Sequence, residues 1–214
     1  MARWEPDARG RLVKAAIELF QERGYGRTTV QGIAARAGLT ERTFFRYFTD
    51  KREVLFSGSK DLEKTLVDMI ANAPKDAAPF DVVAGAFEAA GANLQALRDF
   101  SHVRARHALV VGHAELRERE LIKFASLVAT ATEALHARGV SEPAASLAAE
   151  AGLAVFKVGF ERWVGQKKPQ DLAAHIRAAR DALKAVAAPR AAAALTVGTA
   201  KAAKRASSPK ARPK

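Results

Sequence analysis

Val13, Ala16, Ile17 and Phe20 fall at i, i+3, i+4 and i+7, the spacing that lays one apolar stripe along an α-helix. This period recurs along nearly the whole chain, and no stretch convincingly shows the alternation of a half-buried strand. It predicts helices over roughly 7–23, 29–37, 40–48, 51–71, 80–98, 100–111, 114–138, 142–166 and 170–187. Gly24 closes the first, and the breaker-rich run from Asn72 to Pro79 separates the fourth from the fifth. The expected fold is therefore all-α, with nine helices.

Charge divides the chain further. Its net charge of +12 is carried by the two ends: residues 1–52 sum to +5, 53–188 to zero and 189–214 to +7. A neutral body with basic extremities is what a chain needs if its ends meet a polyanion, although a solubility bias gives the same numbers. The last segment is built from Ala, Lys, Arg, Pro and Ser and has little to bury, so a disordered basic tail is expected. With no cysteine, disulfides, thiolate metal sites and cysteine nucleophiles are excluded. The N-terminal MARWEPDARGR lacks the apolar region of a signal peptide, and no eighteen apolar residues run together. A soluble, cytoplasmic protein is the expectation, with no membrane partner.

Residues 29–48, TVQGIAARAGLTERTFFRYF, read as a helix-turn-helix. Val30, Ile33, Ala34 and Ala37 make the buried side of the first helix, and their small members let the second cross closely. Gly38 supplies a turn for which a positive φ is expected. Phe44 and Phe48, four apart, anchor the second helix. Glu41, Arg42, Thr43, Arg46 and Tyr47 are left facing outward. Two arginines on a short exposed helix suit the major groove, where a guanidinium can make a paired contact to guanine.

Over about residues 9–56 the chain resembles the N-terminal region of the tetracycline-repressor (TetR) family. The resemblance lies in GYGRTTVQGIAARAGLTERTFFRYFTDKREVL: a Gly-aromatic pair, Thr-Thr-Val, Ile-Ala-x-x-Ala-Gly, a Thr cap and a Lys opening the next helix. It implies a three-helix DNA-reading head, a ligand-sensing body of about six helices, and a homodimer formed through the last two long helices. Carried over position by position, base reading falls on Glu41, Arg42 and Thr43, and phosphate contacts fall on Thr29, Tyr47 and Lys51. The family often has Tyr, with a phosphate-seeking hydroxyl, where this chain has Phe45; extra packing is the role expected of Phe45. The expected division is a DNA-binding domain over 1–50, a ligand-binding and dimerisation domain over 51–188, and the tail over 189–214.

Within the body, Phe100, Val103, His107 and Val110 share one helical face, which turns the His107 imidazole inward. A core histidine satisfied by a carbonyl and a ligand contact are both open there. Arg106 lies on the neighbouring face with His102 and His113, as solvated charges or as partners for an acidic ligand group. Candidate ligand contacts are thus His102, Val103, Arg106 and His107, with Phe87, Phe124, Phe156 and Phe160 as the apolar wall. Ala148, Gly152 and Gly159 recur along the eighth helix, and mid-helix glycine points to a close backbone neighbour. With the stripe Leu172, Ile176, Ala179, Leu183 and Val186 they nominate a dimer interface at Gly152, Gly159, Leu172, Ile176 and Leu183. Trp163, near the end of the same helix, is nominated with that interface and also reads as a structural anchor. The alternative is burial of both faces within one chain.

No metal site, cofactor site or catalytic constellation is nominated: the histidines lack zinc spacing, and GYGRTT follows a helix and lacks the Lys of a phosphate loop. These features lead to a ligand-responsive regulator that binds a palindromic operator as a dimer and represses by occluding a promoter, with activation the other outcome. The effector is a small apolar or amphipathic molecule. Two rivals remain: an architectural protein coating DNA with its tail, and a helical small-molecule enzyme.

Overall fold

The computed structural model describes residues 7–168 and 170–188; the expected tail lies outside the described residues. Nine α-helices and one 3₁₀ turn are present among them, and no strand. None of the helices is long and apolar enough to cross a membrane.

The head comprises α1 (Ala8–Arg23), α2 (Val30–Arg36) and α3 (Glu41–Tyr47). Each start is capped by a side chain accepting a free backbone N–H, Asp7 from Gly10, Thr29 from Gly32 and Thr40 from Thr43. Gly38 has φ +68°, a left-handed conformation that side-chain-bearing residues resist, so the tight α2–α3 turn depends on it. Leu12, Ile17 and Phe20 of α1 close on Ile33, Ala34, Phe44 and Phe48 to form a first core. Complete burial of a Leu, Ile or Phe side chain is worth about 1.5–3 kcal/mol each. Arg36 fastens α2 to α1 through paired bonds of 2.8 and 2.7 Å to Glu22.

One helix expected from Lys51 to Ala71 is instead a 3₁₀ turn, Glu53–Phe56, followed by α4, Ser59–Ala71. The break has local causes. Asp50 accepts the N–H groups of Arg52 and Glu53 at 2.7 and 3.1 Å, starting a short turn there. The Ser59 hydroxyl donates to the Phe56 carbonyl at 2.7 Å, competing for an acceptor that a continuing helix would use. Val54, Leu55 and Phe56 join the head core, so the division expected after residue 50 cuts through that core.

The body is built from α4, α5 (Pro79–Leu97), α6 (Phe100–Gly112), α7 (Ala114–Ala137), α8 (Ala144–Val164) and α9 (Leu172–Ala187). Its core gathers Leu66, Phe87, Leu127, Leu135, Leu153, Trp163 and Ile176. Val110 of α6 and Leu116 of α7, both fully buried, belong to the head core instead. The α6–α7 corner is thus wedged into the head.

The close approach expected at the small residues of α8 is met within the chain rather than by a partner. A Cβ on Gly159 would stand 2.7 Å from the Ile176 Cα, and one on Gly152 would stand 2.4 Å from a Val83 methyl. Both glycines therefore admit helices of their own chain, α9 and α5. Trp163, Leu172 and Ile176 are buried within that same packing, and Leu183 packs against its edge. Trp163, Leu172 and Ile176, enclosed in one protomer, have no surface to offer a second, whereas Leu183 keeps part of its own exposed. Trp163 is an anchor: its indole N–H donates to the Gln170 carbonyl at 2.7 Å.

Candidate DNA-reading face and effector cavity

On α3, Phe44 and Phe48 take the two inward places and turn Glu41, Arg42, Arg46 and Tyr47 to solvent. Thr43 is half-buried, with its hydroxyl 3.0 Å from that of its cap, Thr40. Arg46 donates to the Tyr47 hydroxyl at 2.9 Å, which holds two long polar side chains together at the exposed flank. Thr29 stands exposed at the start of α2 while capping it.

Two expectations change. Phe45 does not pack inward; it is 55% exposed and meets Phe44 only edge-on, with ring centroids 5.5 Å apart. Its neighbour already fills the inward position, and one residue along a helix turns about 100° away from it. Lys51 is turned into the protein: its ammonium donates to the carbonyls of Tyr25, Thr28 and Gly26 at 2.8, 3.0 and 3.4 Å and lies over the Tyr25 ring. These bonds use a donor set that a phosphate would otherwise receive.

Behind the head lies a cavity of about 450 Å³, bounded by α1, the 3₁₀ turn and α4 to α8. His102, Val103, Arg106, His107, Phe124, Phe156 and Phe160 all line it. Phe87 does not: it is fully buried behind the wall, with its ring 5.3 Å from that of Phe156, and so supports a lining residue. His107 stands edge-on to Phe160 at 5.5 Å, and burial holds its imidazole below the usual histidine range. His113, expected beside Arg106, lies past the end of α6, where its ring meets Tyr25 at 5.2 Å.

Among the lining residues that sequence reasoning missed are Glu120 and Lys123 of α7. Their signal was present: Leu116, Glu120, Lys123 and Leu127 fall at i, i+4, i+7 and i+11, and both leucines are fully buried. Two charges on a buried stripe face something polar or empty. Glu120 accepts from Arg106 at 2.9 Å. Burial, reinforced by the nearby Arg106 charge, pushes the Lys123 ammonium down to about 8, against the opposing pull of Glu120 and Glu63.

The cavity is joined to the head by a compact set of contacts. Arg106 Nε donates to the Leu55 carbonyl at 2.7 Å. Arg119 makes paired bonds of 2.6 and 3.0 Å to Glu53, and both guanidinium groups lie over the Phe56 ring. Val13 and Ile17 of α1 also reach the cavity. Anything that fills this space touches the helix on which the head is built.

Residues 12–57 match the family model described as bacterial regulatory proteins, tetR family. This segment, the head of the chain, is therefore a tetR-type N-terminal domain. The chain is 35% identical over 81 residues to the HTH-type transcriptional regulator TcmR of Streptomyces glaucescens, a stretch covering 38% of this chain and 36% of TcmR. HbdR of Aromatoleum sp. (strain CIB) is 36% identical over 59 residues, or 28% of this chain and 26% of HbdR. The aligned stretches thus span about a third or less of these curated relatives.

The helical layout extends the TetR likeness beyond the head. FadR of Thermus thermophilus, a TetR-family transcriptional repressor solved with lauroyl-CoA, matches at 24% identity with a TM-score of 0.51, over 87% of this chain and 98% of that one. SmeT, the repressor of the Stenotrophomonas maltophilia multidrug efflux pump SmeDEF, matches at 20% identity with a TM-score of 0.53, over 83% and 89%. At these identities the likeness is one of fold.

Proposed function

We propose that this chain is a TetR-family, ligand-responsive transcriptional regulator that binds a palindromic operator as a homodimer and represses by occluding a promoter. The observation that carries the reading is the direct bond from a cavity-lining side chain, Arg106, to the segment that follows the exposed helix α3. A small molecule in the cavity can bias the position of α3 only by binding one head orientation better than the other. Arg42 is the principal base reader, with Glu41, Thr43 and Arg46 beside it; Thr29 and Tyr47 contact phosphates.

The dimer face is the outward side of α8 and α9. Leu147, Ala151, Ala154 and Val158 fall at i, i+4, i+7 and i+11 on α8, and Leu147 and Val158 are 66% and 42% exposed. On α9, Ala174, Ala178 and Ala182 form a second outward stripe of small residues. Two such stripes permit close four-helix packing between copies.

Selection of bound fragments from a random DNA pool tests the reading. The expected result is a two-fold-symmetric site whose half-sites lie about one helical turn apart. On that site Arg42→Ala should cost roughly 1–3 kcal/mol, with little loss on scrambled duplex. Recovery of no common sequence, together with steep salt dependence, would sink it in favour of architectural DNA coating.

A further inference from the structure

The charges lining the cavity do not cancel one another equally. Arg106 is matched by Glu120 at 2.9 Å and also holds the Leu55 carbonyl. Asp99 is engaged at the start of α6, where it accepts from the Ser101 backbone and hydroxyl at 2.7 Å. Lys157, at the exposed edge, lies over the Phe124 ring. Lys123 is different. Among the described residues no oxygen accepts a hydrogen bond from its ammonium, although it lies in the interior of the cavity wall beside the Arg106–Glu120 pair.

The nearest opposing charges leave it undersatisfied. Glu120 is engaged by Arg106, and Glu63 accepts from the Ser126 hydroxyl at 3.3 Å. A largely desolvated ammonium with no partner is costly, and the cost is relieved by any anion that enters. Beyond it the lining turns apolar, with Phe124 on the same helix and Phe156 and Phe160 facing from α8. The Phe156 and Phe160 rings lie nearly parallel, 6.0 Å apart, and so present a flat apolar wall.

We infer that the effector is an amphipathic acid whose anionic group pairs with Lys123 and whose apolar body lies along Phe124, Phe156 and Phe160. This rests on the reading of the cavity as the effector site. A cationic group at this place is disfavoured, because the unmatched Lys123 ammonium would oppose it. A neutral apolar ligand would fill the space but leave the ammonium as costly as before.

The test uses two fluorescent probes of nearly the same shape on the full chain: anilinonaphthalenesulfonate, which is anionic, and N-phenylnaphthylamine, which lacks the sulfonate. The sulfonate should bind at least about tenfold more tightly, the scale of a desolvated charge-assisted bond. Lys123→Met should remove that preference and leave the neutral probe's Kd unchanged within about threefold, a shift of under 1 kcal/mol. Lys123→Arg should keep it. Equal binding of the two probes, or a preference that survives Lys123→Met, would overturn the acid inference while leaving the effector site standing. Leu94→Trp, which fills the cavity, should abolish both signals. If it changes neither, or if neither probe binds the wild type, the effector-site reading itself fails and the inference goes with it.

Discussion

The guanidinium of Arg106 donates to the main-chain oxygen of Leu55 at 2.7 Å, so a side chain in the cavity wall holds the backbone just after the exposed helix α3. The same side chain meets Glu120 across the cavity edge and lies over the Phe56 ring. A ligand that disturbs one of these contacts disturbs the others, since all share one planar group.

Arg106→Ala should therefore uncouple the two sites. In the wild type, saturating anionic probe is expected to weaken operator binding by a factor within the usual range of about 5 to 150. In the variant the probe should still bind, while the ratio of operator Kd values with and without it falls close to one. Anisotropy titrations on labelled operator measure this, and an unchanged ratio would show that coupling runs by another route.

Lys51→Met should act on folding more than on DNA. Its ammonium ties together the carbonyls of Tyr25, Gly26 and Thr28, so its removal leaves the loop before α2 with unmet acceptors. A loss of about 2 kcal/mol in denaturant stability is expected. The salt dependence of DNA binding should stay as it is. A log–log slope flattened by about 0.9 would instead return Lys51 to the phosphate-contact role.

Packing within a chain and packing between chains should separate on α8. Gly159→Ala places a methyl against the Ile176 backbone and should cost about 1–3 kcal/mol by overpacking, without changing oligomeric state. Ala154→Arg, on the outward stripe, should yield folded monomers. Sedimentation and thermal unfolding on both variants decide the matter. A dimeric Ala154→Arg protein would place the interface elsewhere.

Lys123 gives stability a particular pH dependence. Its folded value of about 8 lies below the ordinary lysine value of 10.5, so between those limits the unfolded chain binds more protons than the folded one. Stability contributed by this group therefore rises from pH 8 to 10.5, and below pH 8 its burial costs on the order of 3 kcal/mol. Lys123→Met removes that cost, so the variant should be the more stable protein at neutral pH and lose its advantage above pH 10.5. Denaturant unfolding of both proteins across this range checks it. An advantage that did not change with pH would mean that Lys123 is well solvated.

The sequence by itself determined all the helices but the one that breaks after Phe56, because they rest on local apolar period and, in the head, on local caps and turns: Asp7, Thr29, Thr40 and Gly38 stand within a few residues of the groups they serve. The outward set on α3 was legible for the same reason, since Phe44 and Phe48 fix the helix's inward side and everything else follows from the helical period. The share of the cavity lining carried by α6 and α8 was legible because they hold their polar and aromatic residues at helical spacing, whereas the share from α1, the 3₁₀ turn, α4 and α5 was not. Which side of a buried stripe meets which neighbour was decided only by the tertiary structure. Gly152 and Gly159 announce a close approach, yet nothing local says whether the approaching helix belongs to the same chain. Phe87 and Phe156 share a pattern of burial, and only assembly puts one ring behind the wall and the other in it. Lys51 reads as a surface cation until the loop 26 residues before it turns three carbonyls toward its ammonium. Long-range packing makes these choices because a helix's period fixes directions around its own axis, while the partner in each direction depends on how all the axes are arranged.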